Sequence, residues 1–104
     1  MSKQELLNRI RAIFLNVAPH AKVILYGSQA RGEAKEGSDY DLMVILDQET
    51  ISREEEKKII TPLYALEVET GKIISPFVLT ERDWEKASHR TTFYHEVMKE
   101  GIRL

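Results

Sequence analysis

Two aspartates, Asp39 and Asp41, stand one residue apart at the head of the run Asp39-Tyr40-Asp41-Leu42-Met43-Val44-Ile45-Leu46. In a strand, residues i and i+2 share a face. The two carboxylates therefore emerge on one side, followed by Met43 and Ile45, while Tyr40, Leu42, Val44 and Leu46 take the other. A run that is apolar on both faces beyond Asp41 reads as a central, covered strand. Two carboxylates at the mouth of such a strand repel each other and lose hydration, a cost that a cation or hydrogen-bond donors must offset. Hard oxygen ligands at this spacing suit Mg²⁺, which takes one or two carboxylates and completes its shell with water and substrate phosphate.

Ten residues separate Asp39 from a second group of chemistry-bearing residues, Gly27-Ser28. Gly27 closes a β-rich run, and without a Cβ it lets backbone approach a bulky ligand. Ser28 stands at the expected start of a helix, where free N–H groups favour an anion and its hydroxyl can donate to the same group. Arg31 lies about one turn further on and can offer a bidentate donor to a phosphate oxygen. Each residue also has a plainer reading. Gly27-Ser28 can be a strand-ending turn with a serine cap, Asp39 an Asx turn after Gly37-Ser38, and Arg31 one half of a surface ion pair. Asp41, a step deeper in an apolar strand, resists such a reading. An anion-binding turn followed by two metal-binding carboxylates suits phosphoryl-type transfer, which depends on positioning and charge neutralisation.

The elements that must hold these groups follow from hydrophobic period and chain punctuation. Ser2 to about Val17 reads as an amphipathic helix carrying Leu6, Leu7, Ile10, Ile13, Phe14 and Val17. Ser2 and Glu5 have capping-box spacing, and Pro19 ends the helix. Lys22–Tyr26 is a first strand. Gly27–Gly32 is a turn with one or two helical turns, and Gly37-Ser38 marks a loop. Asp39–Leu46 is the second strand. Ser52 to about Thr70 is a second long helix, opened by the capping-box pair Ser52 and Glu55, with a kink or break expected at Pro62 and Gly71 just past its end. Lys72–Thr80 is a third strand, which Pro76 places at an edge or bulges. Glu81–Glu85 is a helical turn. Ser88 to about Glu100 is a last helix, docked by Phe93, Tyr94, Val97 and Met98 and stopped by Gly101. The order predicts an α/β (α+β) fold, a small sheet of about three strands flanked by helices, in a single domain over residues 1–104.

Composition excludes several functions. The net charge is -2, and Lys and Arg are dispersed among acids. That argues against a nucleic-acid binder working by phosphate neutralisation, but leaves a small-molecule nucleotide open. With no cysteine, disulfides and Cys-ligated metal sites are excluded. No apolar run approaches the ~20 residues needed to cross a bilayer, and the N-terminus lacks an apolar signal core; a cytoplasmic location is expected. His20, His89 and His95 have no metal-ligand spacing and read as surface or helix residues. Trp84 and Phe77 read as core or partner surface, and Glu54–Lys58 as a solvated helix face.

Gly27-Ser28-Gln29-Ala30-Arg31-Gly32 followed by Ser38-Asp39-Tyr40-Asp41-Leu42 resembles the signature of the polymerase-β-like nucleotidyltransferase superfamily. The Ser-x-Ala-Arg-Gly form, the small size and the ending Glu100-Gly101-Ile102-Arg103-Leu104 resemble its minimal prokaryotic members. The specific motif occupies residues 26–42, and the likeness extends over essentially the full chain. The resemblance implies a nucleotidyltransferase fold on a small mixed sheet, with ATP or another nucleoside triphosphate as substrate and Mg²⁺ or Mn²⁺ as cofactor. It implies Asp39 and Asp41 as catalytic metal ligands, and Gly27, Ser28 and Arg31 as nucleotide-binding residues. It further implies an antitoxin that adds AMP to a tyrosine of a HEPN-domain toxin. Active members carry a third carboxylate on the next strand. Here that strand reads Ile73-Ile74-Ser75-Pro76-Phe77, with Ser75 in the expected place of the acid and Glu67 and Glu69 earlier, in the helix. This departure leaves a rival: a nucleotide-binding or interaction module that neutralises its partner by masking it. A subunit acting on nucleic acid or on a small molecule such as an aminoglycoside is a third reading, and an oligomer is compatible with the sequence.

Overall fold

The computed structural model describes all 104 residues. In chain order the elements are α1 (Lys3–Val17), β1 (Lys22–Tyr26), α2 (Ser28–Arg31), β2 (Tyr40–Leu46), α3 (Arg53–Thr70), β3 (Ile74–Thr80), α4 (Glu81–Ala87), α5 (Thr92–Glu100) and β4 (Ile102–Arg103). The strands form one mixed sheet in the order β3-β2-β1-β4. β1 runs antiparallel to β2 and β4, and β3 runs parallel to β2. A parallel pair needs a crossover, and α3 supplies it.

Local chemistry accounts for the helix limits. The Ser2 hydroxyl accepts the Glu5 amide at the start of α1, and Ser52 and Glu55 complete a reciprocal capping box on α3. Gly71 takes the left-handed conformation that closes α3. Of the kink or break expected at Pro62, the break does not occur: α3 runs through Pro62. Ile59, Leu63 and Leu66 anchor the turns on both sides of it in the core. Lys58, whose carbonyl loses its donor, is exposed, so water can replace the bond.

The sheet has two unequal faces. Val23, Leu25, Tyr40, Leu42, Val44, Leu46 and Ile74 pack under α1 and α3 in the main core. Met43 and Ile45 on the other face pack with Trp84 of α4 and Val97 of α5 in a smaller cluster. The expected count of about three strands is corrected to four. β4 pairs with Ile24 and Leu25, and at two residues it has no period to read. It reaches β1 because Gly101 has no side chain: a Cβ there would meet the Ile24 side chain and the Val97 carbonyl. The last helix starts at Thr92 rather than Ser88, with the Thr91 hydroxyl capping the Tyr94 amide. Pro76 lies in an edge strand, as expected. No helix is long and apolar enough to cross a membrane.

Candidate active site

Strand register brings three side chains into a row. Tyr26 lies opposite Asp41, and Asp41 opposite Ser75. Aligned residues share a face, here the face covered by α4 and α5 further along the sheet. Phe93 of α5 packs edge-on against Tyr26 in this row, with ring centroids 5.5 Å apart, while Asp41 stays only partly buried.

Gly27 sits at the end of this row with φ +74°. A Cβ built on it would lie 2.5 Å from Asp41 Oδ2. The Asp41 carboxylate therefore rests on the bare backbone of the turn, a contact only glycine allows. Ser28 follows as the first residue of α2. The Gly27 carbonyl takes the Ala30 and Arg31 amides, and Gly32 closes the helix in the left-handed region. The Ser28 and Gln29 amides, at the first two positions, have no carbonyl to meet within the helix. One turn carries little dipole, so anion binding here rests on those amides and the Ser28 hydroxyl.

Arg31 is not waiting unpaired. Its Nε lies 3.4 Å from Glu33 and its Nη1 3.3 Å from Glu100 at the end of α5. A cavity of about 190 Å³ separates the turn from α5, walled by Tyr26, Gly27, Arg31, Phe93, Glu96 and Glu100. Asp39 precedes β2 on the same face as Asp41. Its loop is held by Gln29, whose Nε2 donates to the Ser38 carbonyl at 3.3 Å, and by Ser38 Oγ, which accepts the Lys35 amide at 2.9 Å. Gln29 is buried. It ties the glycine turn to the carboxylate loop, a role invisible in the sequence because a glutamine on a short helix carries no positional signal. Tyr26 and Glu100 were likewise not among the expected site residues. The alternation of β1 could have signalled Tyr26, but nothing local signals Glu100.

Burial, and then the charge of Asp39, push the Asp41 carboxyl above its ordinary range. Burial and then Asp41 raise the Tyr26 hydroxyl. The pair thus has the unfavourable charge that a divalent cation would relieve. No three His, Cys, Asp or Glu side chains are so placed that together they could hold a metal ion. Two carboxylates beside a glycine turn are a donor set that suits a divalent cation whose shell phosphate and water would complete. Ser75 occupies the place next to Asp41 on β3. Glu67 is spent on the Ile74 amide at 2.7 Å, and Glu69 pairs with Arg9.

A carboxyl raised in the folded state is fully tolerated below its unfolded value and costs stability once pH exceeds its folded value. Asp41→Asn is therefore expected to raise the melting temperature near neutral pH without divalent metal. The gain should vanish as pH falls to about 4. Melting curves across that range check it, and a gain that persists in acid rules out the charge explanation.

Residues 4–92 match the family described as "Nucleotidyltransferase domain". A Methanocaldococcus jannaschii protein named "Putative protein adenylyltransferase MJ0141" is 32% identical over 84 residues, covering 80% of this chain and 77% of that protein. A solved structure described as "Structure of putative minimal nucleotidyltransferase" superposes with a TM-score of 0.64 at 29% identity, covering 100% of this chain and 97% of the other. The glycine turn, the paired aspartates and the sheet that sets them side by side lie within the matched span, and the chain belongs to the nucleotidyltransferase domain family.

Proposed function

We propose that the domain transfers a nucleoside monophosphate, AMP from ATP, to a hydroxyl group of a protein, with Mg²⁺ or Mn²⁺ held by Asp39 and Asp41. The observation that carries this is the Asp41 carboxylate resting on Gly27, which joins a metal-binding group to a phosphate-binding turn. The name of the Methanocaldococcus jannaschii relative agrees with adenylyl transfer to protein.

In this reading the Ser28 and Gln29 amides and the Ser28 hydroxyl hold the β- and γ-phosphates. Arg31 adds a donor once it leaves Glu33 and Glu100. When bound, the cation neutralises charge on the phosphates. The acceptor oxygen forms a bond to the α-phosphorus, the bond to the β-bridging oxygen breaks, and pyrophosphate leaves with the electron pair. The acceptor proton passes to water, since Ser75 offers no carboxylate to take it. A phenol, with pKa near 10, gives up that proton more readily than an alkyl hydroxyl. This favours a tyrosine acceptor, and the family resemblance points to a HEPN-domain protein in a toxin–antitoxin pair.

Calorimetry of ATP binding with and without Mg²⁺ tests the first half. Binding is expected to require Mg²⁺ and to be lost in Asp39→Ala/Asp41→Ala. Label from α-labelled ATP should then appear on the acceptor with wild type and fall at least about 10³-fold in the double variant. Ser75 favours one second reading, a module that binds nucleotide and masks its partner without turnover. Partner neutralisation that survives the double substitution selects that reading.

A further inference from the structure

We propose that the flank of α3 beside the free edge of β3 is the docking surface for the acceptor protein, and that it receives an apolar helix face bordered by acidic residues. The inference rests on the transferase reading above and names the partner surface for that site.

Ten large apolar side chains are exposed in the whole molecule, and five lie along this margin: Ile60, Tyr64 and Val68 on α3, and Ile73 and Phe77 at β3, whose parity with Ser75 turns them to the opposite face of the sheet, the face of the site. Tyr64 and Val68 are 64% and 68% exposed. At 3.6 residues per turn, Arg53, Lys57, Ile60, Tyr64 and Val68 follow one another along one side of α3. The opposite side faces α1, where Glu69 meets Arg9. The stripe thus lies on the outer flank, beyond β3. Arg53 and Lys57 border it at one end and Lys72 at the other, and none of the three is in an ion pair.

Three features choose the occupant. The first is the direction of attack. Attacking and leaving oxygens lie roughly in line. The phosphate turn sits on the β1 side of Asp41, so the acceptor enters from the Ser75 side. That side is the margin of the sheet. Ile73 borders the site, because its carbonyl holds the Tyr40 amide between the two aspartates. The second is Pro76. With the Tyr40 amide on Ile73, residues 74, 76, 78 and 80 turn their backbone groups outward. One of those donors is missing at Pro76, so an added strand is disfavoured. A helix stripe at i, i+4, i+8 instead fits another helix. The third is charge. Arg53, Lys57 and Lys72 on this flank outnumber Glu56 and Glu67, and the Glu67 carboxylate is taken by the Ile74 amide, so the free charge at both ends of the stripe is positive in a chain of net charge -2. A second copy would set like charges against each other in a two-fold contact, whereas a partner with acidic residues around its apolar face would not.

The test uses a purified HEPN-domain protein as probe, with Tyr64→Glu/Val68→Glu and Arg53→Glu/Lys57→Glu as variants. Complex formation is measured by calorimetry, label transfer from α-labelled ATP is followed separately, and Mg²⁺–ATP binding reports folding. The expected result is a complex with wild type, weakened at least tenfold by each variant while ATP affinity is unchanged. Loss of the complex in the variants, with no transfer by wild type, supports the surface and sinks the transfer reading alone. No complex with wild type, or a complex the variants leave intact, overturns the proposal. So does a wild-type dimer that dissociates in the variants, which would assign the flank to a second copy.

Discussion

Gly27→Ala is expected to lower nucleotidyl transfer by about 10²-fold, the usual cost of displacing a reacting group by about 1 Å. Two effects act at this position. Alanine at φ +74° and ψ -158°, a region open essentially to glycine alone, is strained by roughly 1–3 kcal/mol. Its Cβ would also occupy the place of Asp41 Oδ2, forcing the carboxylate away from the turn. Gly32 separates the two effects. It has the same φ of +74°, but a Cβ there meets nothing within 4 Å. At ψ 16° it lies in the milder left-handed helical region, so Gly32→Ala should lose roughly 1–2 kcal/mol of stability, yet keep Mg²⁺–ATP affinity and transfer near wild type. Melting curves and label transfer on the two variants decide the matter. Equal losses of transfer would mean that the Asp41–Gly27 contact is unimportant and strain alone matters.

Ser75→Asp is expected to raise transfer with Mg²⁺ by about 10²-fold, the lower end of what a well-placed proton acceptor contributes. Ser75 lies opposite Asp41 in a register fixed on both sides: Glu67 holds the Ile74 amide, and the ladder continues through Thr80. A carboxylate installed there joins Asp39 and Asp41 on one face. Without metal it adds a third negative charge, so the same variant should melt at lower temperature, and Mg²⁺ should restore the difference. Ser75→Asn provides the neutral control, and neither change is expected from it. If Ser75→Asp binds Mg²⁺–ATP but transfers no faster, the serine is not what limits the reaction, and the masking reading gains weight.

Much of this arrangement is legible in the residues. The β2 run shows its two faces by alternation, and the aspartates fall on the expected side. β1 begins and ends where its composition changes, and Pro76 announces an edge. What could not be read depends on contacts distant in the chain or on elements too short for a period. β4 is two residues long. Arg31 reads locally as a phosphate donor, and the carboxylate that meets it is Glu100, brought near by α5. Pro62 reads as a kink or break, but burial of Ile59, Leu63 and Leu66 outweighs the lost hydrogen bond. Ser75 was placed near the acid position by strand order, and the ladder supplies its alignment with Asp41.

The two margins of the sheet differ in form but share a consequence. On one side β3 carries Pro76 among its outward positions, and on the other β4 offers two residues, one of them Arg103. Neither margin is a good template for backbone-to-backbone growth. Chains of this kind can therefore reach high local concentration without their sheets propagating from one molecule to the next. Any assembly they join must be chosen by side chains, and so remains open to selection one residue at a time.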